Sequence, residues 1–266
     1  MIRRRHSKAV RRRHWEGLVR EKRSRSIFLL PSLLTTGNLF CGFLALLLTV
    51  QSRYTEAAIS IFVAMVMDLL DGRVARLMKA TSQFGVEYDS LADVVSFGVA
   101  PAFLMYSFAL ARLGRPAWFA AFLFAICGAL RLARFNVFTG VSDKRFFTGL
   151  SIPAAAGVLC SSIIFVHSLG SDAPRAALVA MAIGTYFVSL LMVSTFKYWS
   201  FKELSWARQH PGQMLLVIVL GAMIVATNPE LFLFIIFTGY AASGPVRRLI
   251  VGRTPVPTSE PAKDIA

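Results

Sequence analysis

The chain has 266 residues, 56% of them hydrophobic and only 16% charged, where an average soluble domain carries about 25% charged residues. Its 29 Lys and Arg against 14 Asp and Glu give a formal net charge of +15. Several apolar runs pass the ~18 residues that mark a spanning helix. A soluble domain is therefore excluded, and a polytopic helical membrane protein is expected.

Residues 1–26 hold eleven basic residues against Glu16 and Glu21. This arm is too long and too charged for the n-region of a signal peptide, and no small-residue cleavage site follows the first apolar run. Nucleic-acid binding is not expected of it. In a membrane protein such an arm lies on anionic lipid, at about 1 kcal/mol per basic residue near the surface. Trp15, Leu18 and Val19 give it a weak apolar face.

Spans are then expected at residues 28–50, 55–78, 89–110, 116–138, 151–169, 174–196, 213–227 and 230–246. This is an all-α bundle with a basic arm (1–26), a six-helix membrane core (27–196), two further spans (197–248) and a tail (249–266). The tail from Arg253 is rich in Pro, Thr and charge and is expected to be disordered. With the N-terminus inside, the inner segments carry 25 Lys and Arg. The outer turns carry four: Arg53, Arg112, Arg115 and Arg175. That asymmetry predicts cytoplasmic N- and C-termini. Cys41, Cys127 and Cys160 all fall in apolar spans, which argues against disulfides or a zinc site. His6, His14, His167 and His210 show no ligand spacing. Gly98 with Ala102 and Gly239 with Ser243 are small-residue pairs suited to helix packing.

Residues 68–93 stand apart. Asp68 and Asp71 are three residues apart, and Asp89 and Asp93 four, so each pair shares a helix face. Ala80 to Gly85 reads as a break, and the simplest geometry is two antiparallel helices whose acidic faces meet near a turn. Asp71, Gly72 and Ala75 fall within roughly 60° of Asp68 around the helix, with Arg76 at the edge of the stripe. Carboxylates at the ends of spans are costly unless paired or metal-bound. Pairing with Arg73 and Arg76 is one reading. The four aspartates and Glu87, however, outnumber Arg73, Arg76 and Lys79. Hard oxygen ligands clustered in this way suit Mg²⁺ or Mn²⁺, and two such ions would balance four carboxylates.

The stretch Asp68-x₂-Asp71-Gly72-x₂-Ala75-Arg76-x₈-Gly85-x₃-Asp89-x₃-Asp93 resembles the full signature of the CDP-alcohol phosphatidyltransferases. The resemblance implies a six-helix core from about residue 28 to 196 and displacement of CMP from a CDP-linked lipid by an alcohol. It implies that Asp68, Asp71 and Asp89 hold two divalent cations, with Asp93 at the second ion and acting as general base. By the same resemblance Gly72, Arg76 and Ser82 contact the CDP moiety. Family members often carry Pro-Asn-x-x-Thr at the first span. Here Pro31-Ser32-Leu33-Leu34-Thr35 keeps the threonine and replaces the asparagine. Thr35 is a candidate for the CDP pocket, and so is Asn38, for which a hydrogen bond between helices is an equal alternative.

Leu130-Arg131-Leu132-Ala133-Arg134-Phe135-Asn136 and Phe147-Thr148-Gly149-Leu150-Ser151-Ile152-Pro153-Ala154-Ala155-Ala156-Gly157 are similar to paired motifs of bacterial membrane-bound phosphatidylserine synthases, with Ser151 in place of a proline. This implies CDP-diacylglycerol and L-serine as substrates, with the site on the cytoplasmic side of the cell membrane. A second copy of the chain is among the expected partners. Arg131 and Arg134 are candidates for holding serine carboxylate or lipid phosphate, with positive-inside anchoring as the plainer role. Glycerol 3-phosphate or inositol remains an alternative acceptor. A cation transporter is the reading from another class, disfavoured because the acids gather at one membrane face and not at mid-membrane helix breaks.

Overall fold

The computed structural model describes residues 31–78, 82–138, 146–170, 174–199, 219–221, 223 and 225–251. The basic arm, residues 79–81 within the expected break, most of the seventh expected span and the tail beyond 251 lie outside the described residues.

Eight helices organise what is described. Helix α1 is Pro31–Val50, α2 Tyr54–Leu77 and α3 Gln83–Asp93. A π-helical turn, Val94–Val99, joins α3 to α4, Ala100–Phe108. After a 3₁₀ turn come α5 Arg115–Phe138, α6 Ile152–Ser168, α7 Arg175–Val193 and α8 Pro229–Val251. A short antiparallel ribbon, β1 Phe146–Thr148 with β2 Lys197–Trp199, ties the approach to α6 to the exit from α7. Segment 219–227 is helical where it is described.

Among the described residues, five helical stretches are long and apolar enough to cross a membrane: Pro31–Val50, Gln83–Phe108, Pro116–Val137, Arg175–Val193 and Pro229–Ile250. The second expected span is the 24-residue α2, charged toward its end by Asp68, Asp71, Arg73 and Arg76. The fifth is α6, a shorter apolar helix. The third span begins at Gln83 and not at 89, because Ser82 caps α3: its hydroxyl accepts the Gly85 N–H at 3.0 Å.

Packing follows the rule for lipid, where close approach of small residues replaces the hydrophobic drive. Ala45, Ala57, Ala58, Ala64, Ala100, Ala120, Ala155 and Ala156 are fully buried, while Phe40, Val50, Leu91 and Ile183 face outward. Gly98 and Ala102 are buried as the pairing predicted. Gly239 and Ser243 are exposed, and a Cβ on Gly239 would meet nothing within 4 Å; that pair packs no helix among the described residues. The three cysteines are free.

Two close approaches set the site. A Cβ on Gly42 would run into Ser96, so α1 lies backbone-close to the π turn. Ser96 donates to the Asn38 carbonyl at 2.9 Å, locking this contact. The π turn itself follows from Pro101, two residues beyond it. Proline has no N–H to continue the ladder, and just before it the Ala100 N–H reaches back to Val95 O in the wider i to i+5 pattern.

Candidate active site

The α2–α3 corner brings the acids together as expected. One carboxylate oxygen from each of Asp68, Asp71 and Asp89 lies within 4.8 Å of the others. Asp93 stands outside that trio, one turn further along α3. Its Oδ1 accepts a 3.0 Å hydrogen bond from Asn38 Nδ2 across to α1. Asp71 and Asp93 are buried, and Asp89 Oδ1 is buried with no hydrogen-bond partner.

Salt bridges to Arg73 and Arg76, the alternative reading of the acids, are not what offsets these charges among the described residues. Among the described residues the only ion pair joins Arg53 and Glu56, at the opposite end of α2. Arg76 is in electrostatic reach of Asp71 without bridging it. A buried carboxylate oxygen without a donor costs about 1–3 kcal/mol or more. Asp89 Oδ1 is such an oxygen, and with one oxygen each from Asp68 and Asp71 within 4.8 Å it completes the hard, anionic donor set that suits a divalent cation. The residues therefore fit a metal site.

Beside the acids opens a cleft of about 190 Å³, lined by Pro31, Ser32, Thr35, Asp71, Gly72, Ala75, Arg76, Ser82, Gly85, Val86 and Asp89. Of the residues expected at CDP, Thr35, Gly72, Arg76 and Ser82 all line it. Thr35 also donates to Asp71 Oδ2 at 2.9 Å, so it orients an acid while facing the cleft. The Arg76 guanidinium lies over Gly72: a Cβ there would come 3.5 Å from Nη1. Glycine thus keeps the helix surface low beneath a cation. The Ser82 hydroxyl is engaged as the cap of α3.

Asn38 does not line the cleft. It is fully buried and bound to Asp93, with its own Oδ1 unpartnered. The two arginines of α5 differ. Arg134 is exposed, whereas Arg131 turns inward, with Nε buried and unpartnered and with Asp93 and Tyr240 as electrostatic neighbours. Asn136, in the same motif, donates to Ser90 Oγ at 3.0 Å and ties α5 to α3. Tyr88 reaches Thr36 at 3.1 Å and ties α3 to α1. Tyr240 has no signal in the sequence: it is one aromatic residue in an apolar span, and only the packing of α8 brings it within electrostatic reach of Arg131.

The sequence model of the CDP-alcohol phosphatidyltransferases matches residues 28–193. The chain belongs to this family. The matched region holds α1 through α7 and every aspartate of the cluster, and α8 lies beyond it. Among curated proteins, the chain is 37% identical over 183 residues to a CDP-diacylglycerol–serine O-phosphatidyltransferase of Helicobacter pylori, covering 68% of this chain and 76% of that one. It is 38% identical over 174 residues to the enzyme of the same name from Bacillus subtilis, covering 65% and 92%. It is 38% identical over 188 residues to an archaetidylserine synthase of Methanothermobacter thermautotrophicus, covering 68% and 74%.

Proposed function

We propose that this CDP-alcohol phosphatidyltransferase transfers the phosphatidyl group of CDP-diacylglycerol to the hydroxyl of L-serine, giving phosphatidylserine and CMP. The observation that carries the reading is the meeting of Asp71 and Asp89 with Gly72, Arg76 and Ser82 in one cleft, in a chain whose similar proteins are named for serine transfer.

Asp68, Asp71, Asp89 and Asp93 are the residues that would hold two divalent cations, Mg²⁺ or Mn²⁺. When bound, such ions neutralise the pyrophosphate and stabilise charge on the transferring phosphoryl group and the departing CMP. The chain supplies the rest. Gly72 lets the CDP moiety approach the backbone of α2, and Arg76 adds a cation above it. Thr35 holds Asp71 in place. Asp93 accepts the proton of the serine hydroxyl as that oxygen attacks phosphorus. Asn38 fixes the carboxylate for this by donating to Oδ1 and leaving Oδ2 to act. In this reading Asn38 positions the base and does not contact the nucleotide.

Placed in a bacterial cell membrane with both termini inside, the corner of α2 and α3 faces the cytoplasm, where nucleotide substrate is available. The 25-to-4 split of basic residues supports that orientation. The test is purified protein with labelled CDP-diacylglycerol, offered serine, glycerol 3-phosphate or inositol separately. Phosphatidylserine with stoichiometric CMP is expected. Product from glycerol 3-phosphate or inositol alone would refute the assignment.

A further inference from the structure

Helix α8 lies outside the residues matched to the family, yet it is seated firmly on the core. Tyr198, in β2, is almost completely buried, and its hydroxyl donates to the Ala241 carbonyl at 3.0 Å. Burial pushes this phenol up to about 12, so it stays a donor at any physiological pH. Its ring occupies the space beside Gly244, where an added Cβ would come 2.7 Å from Cε1, and it packs 5.6 Å from the Tyr240 ring. One turn up α8, Phe237 fills the room left by Gly157 of α6, and Phe234 stacks on Phe165 at 5.1 Å. These contacts fix the rotation of α8, and with it the place of Tyr240.

At that place a cavity of about 470 Å³ opens between the start of α6 and α8, lined by Ser151, Ala154, Ile236, Phe237 and Tyr240. Tyr240 is also the electrostatic neighbour of Arg131, whose other such neighbour is Asp93. The buried Nε of Arg131 points a donor at no protein acceptor. A buried guanidinium N–H without a protein acceptor, in electrostatic reach of a phenol that lines a cavity and of the residue assigned as base, matches a small anionic group on the attacking substrate. None of these residues lines the nucleotide cleft.

We propose that Arg131 and Tyr240 jointly hold the carboxylate of the acceptor amino acid and so present its hydroxyl to Asp93. The last helix then selects a carboxylate-bearing acceptor for a reaction whose other groups all lie in the family core. The inference rests on serine being the acceptor.

The test compares serine with serinol, which replaces the carboxylate by a hydroxymethyl group. Tyr240→Phe removes only the hydroxyl. It is expected to raise the KM for serine about tenfold, leave the KM for serinol unchanged and keep the KM for CDP-diacylglycerol within about twofold, because only carboxylate binding is lost. Combining it with Arg131→Lys should cost less than the two changes separately, since both act on one group. If Tyr240→Phe does not yield folded protein, the serine-to-serinol preference of Arg131→Lys decides: a narrowed preference supports the proposal and an unchanged one overturns it. An unchanged serine KM in Tyr240→Phe, or a rise confined to CDP-diacylglycerol, also overturns it; the second result would mean that the cavity takes an acyl chain. A wild-type protein that makes no phosphatidylserine overturns the assignment of serine itself, and shows it before any variant is made.

Discussion

The two substrate sides of this molecule are assembled in different ways. The acidic side comes from one sequence stretch, residues 68–93, on the consecutive helices α2 and α3, with Thr35 of α1 added. The proposed acceptor side draws on α5, the start of α6 and α8: Ser151 and Tyr240 line one cavity and Arg131 comes into electrostatic reach of Tyr240 only when the whole bundle is packed. Chemistry that depends on charge spacing is written locally and tolerates little change. Selection of the acceptor, as proposed, is written in helix packing, and its residues should fail one substrate at a time.

The largest effects are expected on the acidic side. Asp68→Asn, Asp71→Asn and Asp89→Asn should each abolish turnover and weaken divalent-ion binding by calorimetry, while the protein stays monodisperse. Turnover that survives thorough chelation would break the comparison at its strong end. Next comes Asp93→Asn, with a fall in turnover of about 10²–10⁴, as for loss of a general base, and CDP-diacylglycerol binding within a few-fold. Asn38→Ala should follow the same pattern with a smaller loss, since it frees Asp93 without removing it. A variant whose nucleotide binding collapses instead would return Asn38 to the CDP pocket.

These differences track what could be read from the sequence. The four aspartates were legible because helical spacing puts each pair on a shared face, and Gly72 and Arg76 because the stretch resembles the family signature. The partner of Asn38 was not, because it depends on the rotation of α1 against the π turn. That rotation is set by the Gly42–Ser96 approach, which leaves no periodic trace. The start of α3 at Gln83 was hidden because Gln83, Glu87 and Asp89 interrupt the apolar run, though Ser82 three residues before Gly85 was a capping signal. Arg131 and Arg134 looked alike by spacing, and burial separates them.

Smaller effects sharpen the contrast. Gly42→Ala should lower stability by about 1–3 kcal/mol through overpacking against Ser96, measured by thermal unfolding in detergent, and should lower turnover through Asp93. Gly72→Ala should raise the KM for CDP-diacylglycerol a few-fold, with the KM for serine unchanged. Deleting residues 2–22 should leave the kinetics in detergent intact and reduce activity only on anionic liposomes, where the basic arm acts through charge.

We propose the acidic corner as a metal centre, and anomalous diffraction from crystals grown with Mn²⁺ and CDP tests this most directly. Two manganese peaks are predicted, one held by Asp68, Asp71 and Asp89 and the second reached by Asp93, with CDP beneath Arg76 over Gly72. A corner empty of manganese, with Arg76 or Arg73 closed onto the aspartates as salt bridges, would contradict it.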